Sequence, residues 1–392
     1  MPRRFVQLLP PTVMLSTGVW AQSNGPLETE IDAEMVTVIA PLMDDGKAVE
    51  SETVLGEVSL IATSQQVLEN GLRLRARGAL RLQSDHPARV GGIGGVGSDM
   101  SAPVGAFSGL SSAAPVRSSD LRARLETAYL QVDGGYGELR VGKDLGVAAR
   151  FHEGAKSVLS HARLDSSLLD PTGLSSVQTR HDLTGPSGKI SYASPRLLGL
   201  RAGISYTPEL NADGLDRRPA SGTNGLSPNL EHAVEVALNA TRRLPDSGLR
   251  VDLGIGWSTA DPNSGDVNGP YTSVETWSAG SRIEQAGWTL GASWLESDNG
   301  FQQGHYRAWS TGLLKEAYNT DFSLEYGVSD DDSAGLETQG WRFGAGRDLG
   351  RHTRIAVAYL RDEIQSPLET FESQGVVVEI TLSQEIIDFT GN

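Results

Sequence analysis

Arginine recurs at alternate positions along one short stretch of the chain. Within residues 72–83, LRLRARGALRLQ, the side chains of Arg73, Arg75, Arg77 and Arg81 share one parity, and aliphatic side chains fill most of the other. A period of two is typical of a β-strand with two different faces. The charged face predicts a hydrated wall whose guanidinium groups form salt bridges or select solutes by charge.

About a dozen later segments alternate in the same way. In the clearest of them, residues 249–258, Leu, Val, Leu, Ile and Trp alternate with Arg, Asp, Gly, Gly and Ser. A soluble sheet with its arginines in water would show the same alternation. Together, however, the segments favour a closed barrel in a membrane, with the apolar parity on lipid. The opposite orientation is hard to build, because an arginine on the lipid face costs ~2–4 kcal/mol near the midplane.

The number and spacing of the strands support this barrel. We count sixteen strands between residues 33 and 392, joined alternately by seven short turns and eight longer connections. The predicted fold is all-β, a 16-stranded antiparallel transmembrane β-barrel with short periplasmic turns and long extracellular loops. An even number of strands lets the first pair with the last, which leaves no open edge. The stretch Met35–Ala40 is either the first strand or a short box that binds an energising partner.

The N-terminus has the features of an export signal. Arg3 and Arg4 precede a mostly apolar stretch, and Ala21 ends it with a small residue. We therefore expect a signal peptide at residues 1–21 and a disordered polar segment at residues 22–32. The mature chain contains no cysteine and no apolar stretch that is long enough for a membrane helix. The formal net charge of −16 argues against nucleic acid as a partner.

Two connections are long, at residues 85–120 and 146–184. The first contains Gly92-Ile93-Gly94-Gly95-Val96-Gly97, which matches a dinucleotide-binding pattern literally. Prolines on both sides replace the strand and helix that the pattern needs, so a plain loop is favoured. The chain has no paired-histidine metal motif and no nucleophile elbow. We therefore expect no enzymatic activity, no cofactor and no bound metal.

Two stretches of the sequence resemble the general diffusion porins of Gram-negative bacteria. Residues 128–143, AYLQVDGGYGELRVGK, are similar to the aromatic, Gly-Gly-aromatic-Gly hairpin that precedes the family's third long loop, and Leu68–Leu72 with the strand after it looks like the first turn. The resemblance implies an outer-membrane homotrimer that passes small hydrophilic solutes and ions passively. It also implies that residues 146–184, the third long loop, fold inward and narrow the barrel.

The resemblance also suggests which side chains line the narrow part. Acidic residues of the third long loop would face basic residues of the wall. The acidic candidates are Glu153, Asp165 and Asp170. The basic pore-lining candidates are Arg73, Arg75, Arg77, Arg122, Arg124 and Arg140.

Other functions remain open from the sequence. The leading hypothesis is a passive channel in the outer membrane, in contact with lipid and lipopolysaccharide. A substrate-selective channel is the alternative within transport. An outer-membrane barrel enzyme would need a serine and a histidine within hydrogen-bond reach on one wall, and the spacing proposes no such pair. An adhesin or soluble β-sandwich would carry polar residues on the face assigned to lipid.

Overall fold

The chain folds into one closed, sixteen-stranded antiparallel β-barrel. The computed structural model describes residues 25–45, 52–86, 104–110, 121–210, 229–263, 271–367 and 369–391. Within these ranges, the strands are β1 Leu27–Asp44, β2 Val54–Val67, β3 Arg73–Ser84, β4 Arg122–Gly134, β5 Gly137–Asp144, β6 Ser187–Ala193, β7 Leu200–Glu209, β8 Leu230–Leu244, β9 Leu249–Pro262, β10 Val274–Gln285, β11 Trp288–Ser297, β12 Tyr306–Ala317, β13 Thr320–Asp331, β14 Leu336–Asp348, β15 Thr353–Gln365 and β16 Thr370–Gly391.

Each strand pairs with its sequence neighbours, and β1 pairs with β16 to close the ring. The predicted architecture is therefore confirmed. Closure gives every strand a hydrogen-bonded partner on both sides, which a spanning sheet needs because lipid cannot solvate free backbone groups. No helix in the described part of the chain is long and apolar enough to cross a membrane.

The two faces of the wall differ as the alternation predicts. On β9, Leu253 and Ile255 are 46% and 53% exposed on the outside, whereas Asp252 and Ser258 are buried on the inside. An isolated barrel exposes its lipid-facing side chains and hides those that its own inner loop covers. Aliphatic side chains therefore face outward and polar ones inward.

Aromatic side chains form a row around the outside. Trp257 lies opposite Trp277, Trp294 opposite Trp309, and Tyr326 opposite Trp341 in the strand register. The row ends at Tyr359 on β15, whose ring is 5.3 Å from that of Trp341. Trp and Tyr are enriched where a membrane meets water, because their rings are apolar with one polar group. The row is typical of an interfacial girdle.

The first strand is longer than the sequence predicted. It begins at Leu27, so residues 27–32 are not disordered but pair with β2 and β16. Because most side chains of residues 27–32 are polar, the sequence pattern did not indicate a strand there. The backbone of this segment is nevertheless hydrogen-bonded to β2 and β16. Met35–Ala40 lies in the middle of β1 and is a barrel strand. The predicted signal peptide, residues 1–21, lies outside the described residues.

The third long loop lies inside the barrel. It runs from residue 145 to residue 186, slightly beyond the predicted 146–184, and it contains a four-residue helix, α1 Val147–Arg150. Most of its apolar side chains are buried against the inner wall. The predicted loop at residues 85–120 is described only at 85–86 and 104–110.

Candidate functional site

The third long loop follows the inner wall closely because glycines make room for its backbone. On β10, a Cβ at Gly280 would collide with the carbonyl oxygen of Glu153. On β11, a Cβ at Gly291 would lie 2.5 Å from the Cα of Ala155. Any larger residue at either position would push the loop into the lumen. These glycines therefore set how far the loop protrudes.

A carboxylate on β16 holds the tip of the loop. Glu379 accepts backbone N–H groups from Ser160, His161 and Ala162 at 2.6, 3.0 and 2.9 Å, and the Ser160 hydroxyl at 2.8 Å. Hydrogen bonds to a charged acceptor are stronger than those between neutral groups. Glu379 thereby fixes three consecutive residues of the loop to the wall.

A second carboxylate, Asp165, organises the return of the loop. It accepts the Thr179 N–H at 2.8 Å and the hydroxyl groups of Thr179 and Ser310 at 2.5 and 2.7 Å. Burial alone would raise the pKa of Asp165, but Arg163 and these hydrogen bonds lower it overall. Asp165 is therefore ionised and serves as an internal acceptor.

Further along the loop, His181 lies against the wall between two hydroxyl groups. Its ring nitrogens are 2.8 Å from Ser278 Oγ and 2.6 Å from Ser258 Oγ. Three residues later, the Thr184 hydroxyl donates to Glu235 at 2.6 Å. Polar contacts thus continue across β8, β9 and β10 and keep the loop close to this part of the wall.

An apolar cluster holds the other side of the loop. The loop residues Leu159 and Leu169 pack onto inward-facing aliphatic side chains of β1, β2, β15 and β16. The cluster consists of Val36, Val38, Ala40, Leu55, Val158, Leu159, Ala162, Leu169, Ala356, Ala358, Leu360 and Val377. The inner wall here is therefore not polar, which the sequence did not predict.

The three predicted acidic residues do not face the predicted arginines. Glu153 pairs with Arg282 on β10 at 2.8 Å. Asp165 has the hydroxyl and N–H partners described above, and Asp170 accepts the N–H groups of Thr172 and Ser175 at 3.1 and 2.9 Å. These carboxylates hold the loop in shape. The sequence showed their presence in the loop but not their partners, which come from distant strands.

The predicted pore-lining arginines lie on β3, β4 and β5, and we call them the arginine wall. They differ in whether a carboxylate lies within ion-pair distance. Arg140 lies 2.7 Å from Glu138 and 2.8 Å from Asp144, and its guanidinium stacks on the Tyr129 ring at 4.7 Å. Arg122 donates to Gln83 at 3.0 Å and lies 3.9 Å from Asp85, and its neighbour on the same face is Arg124. Arg73 is exposed at the turn end of β3, away from the third long loop.

Arg75 and Arg77 lie on the inward parity of β3 and are partly exposed. Arg75 donates to the neutral amide of Gln65 at 3.1 Å. Neither has a carboxylate within ion-pair distance in the described part of the chain. The same holds for Arg163 and Arg180 on the third long loop, which are also partly exposed. All four arginines therefore lack a direct ion pair in the described residues, and the charge of Arg163 acts on nearby Asp165.

Two groups of the lumen were missed from the sequence. The loop arginines, Arg163 and Arg180, lie in a segment for which the family resemblance implied acidic lining residues. The wall carboxylates Glu235, Glu325 and Glu379 lie on the inward parity of β8, β13 and β16. Acidic residues on the inward parity of an alternating strand are the signal that could have identified them.

The loop also contains a histidine that stays neutral. Burial, with help from Arg180 and Arg163, lowers the pKa of His152 to about 4. Within the described ranges, no group of three His, Asp or Glu side chains could hold a metal ion. The site is a set of fixed charges and dipoles.

Comparisons with known proteins agree with this architecture. Residues 21–365 match the family model described as Gram-negative porin. OmpF of Salmonella typhi, solved with daunomycin, is 11% identical, with a TM-score of 0.58 over 91% of this chain and 97% of its own. The anion-selective porin from Comamonas acidovorans is 13% identical, with a TM-score of 0.54 over 93% and 100%. The trimer form of OmpT from Vibrio cholerae is 10% identical, with a TM-score of 0.53 over 91% and 99%. None of the curated proteins matches this chain by sequence.

Proposed function

The chain belongs to the Gram-negative porins, outer-membrane barrels that form diffusion channels, and we propose that its lumen favours small hydrophilic anions over cations. The observation that carries this proposal is the difference between the two kinds of charge inside the barrel. The carboxylates have partners, whereas Arg75 and Arg77 on the wall and Arg163 and Arg180 on the third long loop have no carboxylate within ion-pair distance in the described residues.

The difference has a chemical basis. A carboxylate on the wall can accept backbone N–H groups of the loop, as Glu379 does, and a carboxylate on the loop can pair with a guanidinium of the wall, as Glu153 does with Arg282. Such a carboxylate is compensated. Arg75 donates to a neutral amide, and neither Arg75 nor Arg77 has a carboxylate within ion-pair distance in the described residues, so their field extends into the lumen. An anion that passes between β3 and the third long loop is stabilised, and a cation is repelled.

We predict that reversing two of these charges reverses the preference. Arg75→Glu together with Arg77→Glu changes the charge of β3 by four elementary units on the inward face. At distances of a few ångströms in hydrated, screened surroundings, this lowers the anion-to-cation permeability ratio by about tenfold or more. The reversal potential of single channels under a KCl gradient measures the ratio.

The matched control is Arg242→Glu with Arg243→Glu. These two arginines are exposed at the turn end of β8, away from the narrow part. They undergo the same change in net charge, so we expect a much smaller shift in reversal potential. Equal shifts in both double variants would show that Arg75 and Arg77 do not line the constriction.

We also propose that the protein assembles as a homotrimer in contact with outer-membrane lipid and lipopolysaccharide. The similar barrel from Vibrio cholerae was solved in a trimer form, which supports this assembly. A folded oligomer should run at high mass on a gel before boiling and at monomer mass afterwards. One band at monomer mass in both lanes would contradict the trimer. The family assignment favours a channel over a barrel enzyme.

A further inference from the structure

A short segment of the long connection at residues 85–120 lies on the far side of the barrel from its own strands. Residues 104–110, which we call the strap, belong to the connection between β3 and β4. Yet the strap contacts Tyr271 before β10 and Asn299 between β11 and β12. In a ring of sixteen strands, β11 and β12 lie opposite β3 and β4. The strap therefore lies at the long-loop end, on the side of the barrel opposite β3 and β4.

Asn299 latches the strap in place. Its Oδ1 accepts the N–H groups of Phe107 and Ser108 at 3.1 and 2.9 Å, and its carbonyl oxygen accepts the N–H of Ala106 at 3.0 Å. Its Nδ2 donates to Ser108 Oγ at 3.0 Å and to Asp331 on β13 at 2.9 Å. The side chain is fully buried, and the backbone is left-handed with φ +58°. Every polar atom of the Asn299 side chain is therefore engaged.

The strap covers apolar side chains that would otherwise face water. The inner wall at this end carries a cluster that consists of Leu230, Ala233, Ala260, Val274, Leu295, Tyr306, Ala308, Leu336 and Ile364. The strap adds Ala106, Phe107 and Leu110 to this cluster. The third long loop adds Leu174 and Leu183. A channel wall with this much bare apolar surface would lose its water. The strap removes that surface from the solute path.

The strap also rests on the third long loop. The Phe107 ring is 5.7 Å from Tyr306 and 6.4 Å, edge to face, from His181. The Tyr306 hydroxyl donates to the Ser176 carbonyl at 2.8 Å and accepts the Gln178 N–H at 2.9 Å. Strap, wall and third long loop thus form one packed layer on the β9 to β15 side of the lumen.

From this layer, we propose that the strap is a second size-selecting element of the channel, with Asn299 as its positioning residue. It closes the apolar half of the mouth and directs solutes along the arginine wall of β3 and β4. The proposal rests on the channel function. Its readouts are conductance and size limit, whereas the anion preference is read from reversal potentials, so either proposal can fail without the other.

The first test is Asn299→Gly. Glycine adopts the left-handed backbone freely, so only the side-chain bonds are lost. Two buried N–H groups of the strap lose their acceptor. The fraction of channels in which the strap is detached from the wall should therefore rise by about tenfold or more. We expect a larger mean single-channel conductance and entry of larger polyethylene glycols. Asn319→Gly is the matched control, because Asn319 also has φ +58° but lies in the short turn between β12 and β13.

An engineered disulfide makes the test reversible. A Cβ at Gly300, where φ is +75°, would lie 3.2 Å from the Ala106 Cβ, so a small shift would bring the pair to the ~3.5–4.5 Å of a disulfide, and the chain has no other cysteine. In the Asn299→Gly background, Ala106→Cys with Gly300→Cys should give the parent conductance when oxidised and the larger one when reduced. Unchanged conductance in Asn299→Gly, or a rise that oxidation does not reverse, would overturn the proposal.

Should Asn299→Gly fail to fold, the cysteine pair in the otherwise unaltered chain still decides. The pair should oxidise to a disulfide in the folded, membrane-inserted protein, since the strap lies against Gly300. Complete recovery of free thiols after oxidation would show that the strap does not occupy this position, and the proposal would be wrong.

Discussion

At the scale of residues, acidic and basic side chains have different roles in the lumen. Carboxylates on the inner wall accept hydrogen bonds from the third long loop, which a guanidinium cannot do because it has no acceptor. Glu379 meets three backbone N–H groups, and Glu235 meets the Thr184 hydroxyl. We propose that the bases without an ion pair on β3 and on the loop set the field. A chain with a formal charge of −16 can therefore have a positive constriction.

The role of Glu379 leads to a specific prediction. In Glu379→Gln, the neutral amide keeps one oxygen acceptor and turns its NH2 group towards loop N–H donors. Losing a charged acceptor of buried donors costs about 1–3 kcal/mol. The loop tip should detach more often, so open-channel noise and mean conductance should both rise in bilayer recordings.

Glu372→Gln on the same strand provides the control. Glu372 pairs with Arg361 at 2.9 Å on a partly exposed surface and does not contact the third long loop. Exposed ion pairs contribute little to stability, so its conductance trace should match that of the parent protein. If Glu379→Gln also matched the parent, Glu379 would not anchor the loop.

The sequence revealed the arginines of β3 but not the partners of the loop acids. A period of two is a local property, and it places Arg75 and Arg77 on one face without further information. Asp165, by contrast, meets Ser310 on β12, a residue far away in the chain. Only the closed barrel brings the two together, so the pairing could not be predicted from local patterns.

At the scale of elements, the alternation predicted fifteen strands well and one poorly. The exception, β1, has apolar residues on both parities at Met35–Ala40 because Val36 and Val38 pack inward on the third long loop. A strand that is covered on both faces loses its period of two. The stretch therefore also fitted a partner-binding box, and only the pairing with β2 and β16 identified it.

The outward face of the strands can be tested by one substitution. Ile255 on β9 is 53% exposed and lies within the aliphatic band below the aromatic row. Ile255→Arg should lower the free energy of unfolding in lipid vesicles by ~2–4 kcal/mol, because the charge would sit near the midplane. A urea titration of the folded fraction measures the change.

The depth of the position matters as much as its face. Leu244 also points outward but lies at the turn end of β8, near the membrane surface. The change Leu244→Arg should cost only ~0–1 kcal/mol. Equal losses in the two variants would mean that the apolar parity does not face a hydrocarbon core.

At the scale of the whole molecule, closure of the barrel brings residues from distant strands together around the third long loop. The number of strands and the alternation of short and long connections were enough to predict the barrel. The inward course of the third long loop came from the family resemblance, and its fixation by glycines and wall carboxylates came only from the structure. Loops depend on surfaces that several strands build together, so sequence patterns predict them less well than strands.

The central claim is that this barrel holds a hydrated path in which unpaired arginines favour anions. Planar-bilayer recording of the purified, unaltered protein under a KCl gradient tests it most directly. We predict discrete ohmic steps with a reversal potential on the chloride side of zero. A silent bilayer would contradict the open path, and a reversal potential on the potassium side would contradict the role assigned to the arginines.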